Sequence, residues 1–120
     1  MEIHGLEDRN IPFAGGIGTK GVSNVDWPPV EATLEIFRRA DACEKPVTLE
    51  AAAVRREDAR CGHGRGISLI TIADAGHQWP GAVAERPLVR LIFRLNAPSG
   101  ALDATTTLWT FFAGHPLPQN

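Results

Sequence analysis

The chain's most usable proton-transfer group is His77, in Ala75-Gly76-His77-Gln78-Trp79-Pro80-Gly81. An imidazole changes charge near neutral pH, so a ring held at a defined place can act as a general base or acid. The stretch just before it, Ile67-Ser68-Leu69-Ile70-Thr71-Ile72, is short, apolar and β-branched, as expected of a strand covered on both faces. His77 is therefore expected just past the C-terminal end of a strand, where ligands and chemistry collect in open α/β sheets. The plainer alternative is a histidine that only fixes a turn. A second chemical group, Asp8, is a loop carboxylate between the apolar pieces Glu2-Ile3-His4 and Ile11-Pro12-Phe13. Its plainer alternative is an aspartate that bonds its own backbone.

Nucleophiles and ligands are scarce. The serines are Ser23, Ser68 and Ser99, in Val22-Ser23-Asn24, Ile67-Ser68-Leu69 and Pro98-Ser99-Gly100, and none sits in a G-x-S-x-G elbow. Cys43 and Cys61 also lack such a glycine-flanked setting, and from the residues alone they are either one disulfide or two buried thiols. Cys61-Gly62-His63 offers two metal ligands without a second pair at zinc spacing, so no metal is expected. Gly16-Ile17-Gly18-Thr19-Lys20-Gly21 matches the dinucleotide expression G-x-G-x-x-G, but Val22 to Trp27 runs as loop into Pro28-Pro29 instead of starting a helix. A pyrophosphate needs that helix N-terminus, so a flexible loop is expected and no cofactor. Trp79 either walls a pocket beside His77 or packs its loop against the last helix. His115 reads as a solvent-facing cap.

These groups need elements to hold them. Glu2 to His4 reads as the end of a strand. Pro29 suits the first position of a helix in which Val30, Leu34, Phe37 and Ala40 share a face, with Glu31 and Glu35 early and Arg38 and Arg39 late. Val47 to Arg60 is ambiguous, with Leu49-Glu50-Ala51-Ala52-Ala53-Val54 helical by propensity, and it leans to extended. Ala82 to Ser99 reads as loop, punctuated by Pro87 and Pro98, with an apolar piece at Leu91-Ile92-Phe93. A last helix is expected from Ala104 to about Ala113, capped by Asp103 and ended by Gly114 and Pro116, with Leu108, Phe111 and Phe112 inward. The order implies an α/β fold: parallel strands, a crossover helix and a closing C-terminal helix.

Composition narrows the function classes. The 120 residues fit one modest domain and carry 12 Lys plus Arg against 14 Asp plus Glu, for a net charge of −2. The arginines lie among acids, so no nucleic-acid partner is expected. No apolar run is long enough to cross a bilayer, and Met1-Glu2-Ile3-His4-Gly5 has neither the basic nor the apolar region of a signal peptide.

Three stretches together resemble a known family: His4-Gly5-Leu6-Glu7-Asp8-Arg9-Asn10-Ile11-Pro12-Phe13-Ala14-Gly15-Gly16, then Ala75 to Gly81 around His77, then Leu102-Asp103-Ala104-Thr105 with Trp109-Thr110-Phe111-Phe112. They are similar to the C-terminal part of the secreted poly(3-hydroxybutyrate) depolymerase and feruloyl or acetylxylan esterase group of the α/β-hydrolase superfamily. The resemblance spans nearly the whole chain and is weakest over Val47 to Arg60 and Ala82 to Ser99. It implies a serine esterase triad in which Asp8 is the acid and His77 the base. It also implies an extracellular parent protein, an ester substrate, a substrate-facing Trp79, and a Cys43–Cys61 pair worth about 3 kcal/mol if bridged. The nucleophile and oxyanion donors of the family lie upstream of the matched region. The expectation is thus a partial α/β-hydrolase domain over residues 1–120, lacking the nucleophile-bearing half and nearly inactive alone, with an uncovered sheet edge open to association. The competing expectation is a non-catalytic binding module derived from that fold.

Overall fold

The computed structural model describes residues 1–21, 24–92 and 96–116; Val22, Ser23 and Phe93 lie outside the described residues. In chain order the elements are β1 (Glu2–Gly5), β2 (Gly16–Ile17), β3 (Asp26–Trp27), α1 (Val30–Ala40), β4 (Val47–Ala51), β5 (Val54–Arg60), β6 (Gly66–Ile72), α2 (Pro87–Ile92) and α3 (Ala104–Ala113). Helices and a mixed sheet alternate along the chain, an α/β architecture.

The apolar, β-branched run after Arg65 becomes the inner strand β6. The main sheet is ordered β1-β6-β5-β4, and β1 runs parallel to β6 with Glu2 opposite Leu69 and Gly5 opposite Ile72. Ile70, Ile72 and Ala75 are buried, and Met1, Ile3, Val54 and Leu102 pack against them. Burying each large aliphatic side chain of this group contributes about 2 kcal/mol. On the alternate positions of β6, Leu69 and Thr71 are also buried, which is why the strand shows no polar face.

The sheet departs from the expected parallel arrangement. The ambiguous Val47 to Arg60 stretch forms a hairpin, β4–β5, and β5 runs antiparallel to both β4 and β6. Only Ala52 and Ala53 separate Ala51 from its partner Val54, and so short a connection permits antiparallel pairing alone. The hairpin thus inserts between α1 and β6 inside the parallel crossover. Arg38 fastens α1 over this sheet, pairing with Glu31 at 3.1 Å and with Glu57 of β5 at 3.4 Å. A disulfide between Cys43 and Cys61 ties the chain leaving α1 to the junction of β5 and β6.

The helices differ from expectation in several further places: α1 begins at Val30, with Pro29 as its N-cap and not its first helical residue. Pro87 does not interrupt a loop but opens α2, where its missing N–H leaves no helical bond unmade. Phe37 and Ala40 on α1 and Phe112 on α3 are exposed, although Val30, Leu34, Leu108 and Phe111 are partly covered as expected. Asp103 caps α3, its Oδ1 accepting from the Thr106 N–H at 2.9 Å and its Oδ2 from the Thr106 hydroxyl at 2.9 Å. His115 lies at the surface but is not a free cap: it stacks on Phe111, donates Nδ1–H to the Phe111 carbonyl at 2.7 Å, and lies against Gly66. Among the described residues, no helix is long and apolar enough to cross a membrane.

Candidate active site

Because β1 and β6 are parallel neighbours, the chain leaves both at the same edge of the sheet. The two exits are then joined by backbone bonds: the Leu6 N–H donates to the Ile72 carbonyl and the Glu7 N–H to the Ala75 carbonyl, each at 2.9 Å. That approach explains Gly5. A Cβ there would overlap the Ala75 carbonyl, closer than any side chain tolerates. Gly76, the residue before His77, is likewise closed in by the Asn96 side chain.

Asp8 turns back over its own loop. Its Oδ1 accepts the N–H groups of Asn10 at 2.8 Å and Ile11 at 3.0 Å, the aspartate turn that is the plainer reading of this residue. Its Oδ2 remains for His77, whose Nδ1 lies 2.8 Å away. The turn and the contact with His77 coexist because they use different oxygens. Burial pushes the Asp8 carboxyl up, but the Ile11 N–H, His77 and the Asn10 N–H together outweigh it and hold the group below the usual carboxylate range. An ionised carboxylate only accepts, so Nδ1 carries the proton and Nε2 of the neutral ring is left as the acceptor. The Asp8 side chain is 7% exposed and that of His77 46%, a buried anion under a half-open ring.

The pair borders a cleft of about 720 Å³ between the free edge of β1 and α1, with Trp27, Leu34, Phe37 and Trp79 among its walls. Trp79 performs both of the tasks considered for it. Its Nε1–H donates to the Thr105 hydroxyl of α3 at 3.1 Å, and the residue, 51% exposed, is among those lining the cleft with His77. The loop that carries His77 is also tied to α3 through the Ala104 N–H and the Pro80 carbonyl at 3.2 Å.

The other candidates resolve into structural roles. Gly16 and Ile17 form β2, paired with β3, and the next helix starts only at Val30. Gly18 packs so closely on the Asn10 carbonyl that a Cβ would overlap it, so the glycine-rich stretch buttresses the Asp8 loop. Cys61 is committed to the disulfide and cannot ligate a metal beside His63, and no cluster of three or more His, Cys, Asp or Glu suited to a metal occurs among the described residues. Ser68 is wholly buried with its hydroxyl unpartnered, and Ser99 donates to Asp74 at 3.0 Å. Neither hydroxyl bonds His77, and Ser23 lies outside the described residues.

One contributor to the Asp8 loop is not singled out for a role by its sequence. His4 is buried to 7% exposure, with its Nε2 2.9 Å from the Ile11 carbonyl, its Nδ1 3.3 Å from Glu2 and its ring edge-on to Phe13. His4 opens the first stretch that carries the resemblance, but nothing in that stretch says what its ring bonds. The contact is tertiary and is found only in three dimensions.

Comparison of the chain with protein-family models, with curated proteins and with solved structures finds no match.

Proposed function

We propose that the chain supplies the acid and base of a serine carboxylic-ester hydrolase of the poly(3-hydroxybutyrate) depolymerase or feruloyl and acetylxylan esterase type. The observation that carries this reading is the 2.8 Å bond between His77 Nδ1 and Asp8 Oδ2, made by a half-exposed ring that is among the residues lining the cleft. In the proposed reaction Nε2 of His77 takes the proton of a serine hydroxyl as it attacks the ester carbonyl, then returns it to the departing alcohol. Asp8 holds the required tautomer and stabilises the imidazolium, and the exposed indole of Trp79 flanks the substrate.

The serine and the oxyanion donors are proposed to come from outside these 120 residues. The edge of β1, unpaired among the described residues, borders the same cleft and suits a further strand of the nucleophile-bearing half. An extracellular setting is in keeping with the disulfide. The test is complementation. The chain is mixed with a G-x-S-x-G-bearing half from an esterase of this type and assayed on p-nitrophenyl acetate. Activity is expected only in the mixture, with a fall of at least ~100-fold in His77→Ala and a clear loss in Asp8→Ala. No gain on mixing, or a gain indifferent to both substitutions, overturns the reading.

A second reading, a non-catalytic interaction module, is favoured by exposed apolar side chains on α2 and α3, including Leu88, Leu91, Trp109 and Phe112. It requires a chain that folds unaided and whose binding is untouched by His77→Ala.

A further inference from the structure

Of the four histidines, three lie at the surface and His4 is buried, and the proposed reaction makes no use of it. An imidazole withdrawn from water must have its ring nitrogens satisfied. The partner of Nε2 is a carbonyl, which can only accept, so Nε2 carries a proton in either charge state of the ring. That proton goes to the Ile11 carbonyl at 2.9 Å, while Glu2 faces Nδ1 at 3.3 Å and Phe13 meets the ring edge-on at 5.5 Å between centroids. The peptide unit on the other side of Ile11 provides an N–H to Asp8 Oδ1 at 3.0 Å. Backbone contacts from the glycine-rich stretch restrain Arg9 and Asn10, through the Lys20 N–H and the close approach of Gly18, whereas the Ile11 carbonyl is bonded by the His4 side chain.

We propose that His4 is a positioning residue for Asp8: by donating Nε2–H to the Ile11 carbonyl it fixes the residue whose N–H occupies Asp8 Oδ1, and so keeps Oδ2 aimed at Nδ1 of His77. The inference rests on the esterase reading only for its catalytic meaning. The positioning itself is a property of this chain.

The test reads tautomers by imidazole nitrogen NMR on the full 120-residue chain, at a pH where His77 is neutral. In the wild type the His77 proton sits mainly on Nδ1, and Asp8→Ala removes that preference. His4→Phe keeps a ring against Phe13 but has no N–H, and it is expected to lower the ratio of Nδ1–H to Nε2–H at His77 about tenfold. His4→Gln can still donate to the Ile11 carbonyl and is expected to retain most of the wild-type ratio. A folded His4→Phe with the wild-type tautomer overturns the proposal, as does a folded His4→Gln that loses it. If His4→Phe does not fold, the wild-type spectrum and His4→Gln decide: Nε2 of His4 must be protonated throughout, and a proton found on Nδ1 alone overturns the proposal. Esterase complementation can fail while these tautomers behave as expected, and the converse also holds, so the two ideas fall separately.

Discussion

At Asp8 one carboxylate has its two oxygens assigned to different partners, and the consequence is a dependence on pH at the acid end. Its folded pKa lies below the ordinary value of 3.8, so the stability it contributes is present above that value and is lost as the pH falls through the folded pKa. Asp8→Asn is therefore expected to be less stable than wild type at neutral pH, with the difference closing below about pH 4. Urea midpoints along a pH series measure this. His4 has the opposite sign. Glu2 raises its pKa above 6.5 against the effect of burial, with the Ile11 carbonyl and the Asp8 charge adding to the rise. The stability it contributes is full below 6.5 and fades as the pH climbs through the folded value. As the pH rises above 6.5 and through the folded value the wild-type urea midpoint should fall, and His4→Gln should flatten that fall.

At the scale of elements, the close crossing of the two strand exits sets the strongest demand on sequence. Gly5→Ala places a methyl against the Ala75 carbonyl and is expected to cost about 3 kcal/mol or more, with loss of the His77 Nδ1–H signal. A denaturation midpoint and the same NMR readout check it. β6, α1 and α3 are legible in the sequence because apolar periodicity and the Asp103 cap point one way, with Pro29 marking the start of α1 to within one residue. The β4–β5 hairpin is less so. Its turn uses Ala52 at φ 50° in place of the usual Asn-Gly or Asp-Gly, and its alanines favour helix, so propensity opposes the pairing that wins. Ala52→Gly should relieve this residue and stabilise the chain by about 1 kcal/mol in thermal or urea unfolding. α2 is hidden because a proline reads as a break until the chain turns helical from it. Phe37 and Phe112 show the limit of a helical wheel, which gives a face but not what lies opposite. The contact of His77 with Asp8 is foreseen through the family resemblance, whereas His4 bonding Ile11 depends on how a loop folds back on its own strand.

For the molecule as a whole, the disulfide closes the segment that holds the β4–β5 hairpin. Reduction is expected to lower unfolding stability by about 3 kcal/mol, read as a shift in urea midpoint with and without a phosphine reductant. The backbone bonds from Leu6 to Ile72 and from Glu7 to Ala75 reach further, because they mount Asp8 and His77 on one frame. In the proposed enzyme, a docking piece then has a single geometric duty, to bring one hydroxyl to the outer nitrogen of a ring already set. In a reconstituted two-part enzyme, serine-bearing scaffolds of differing ancestry should therefore share a common proton-transfer limb in their rate profiles and differ chiefly in how tightly they associate.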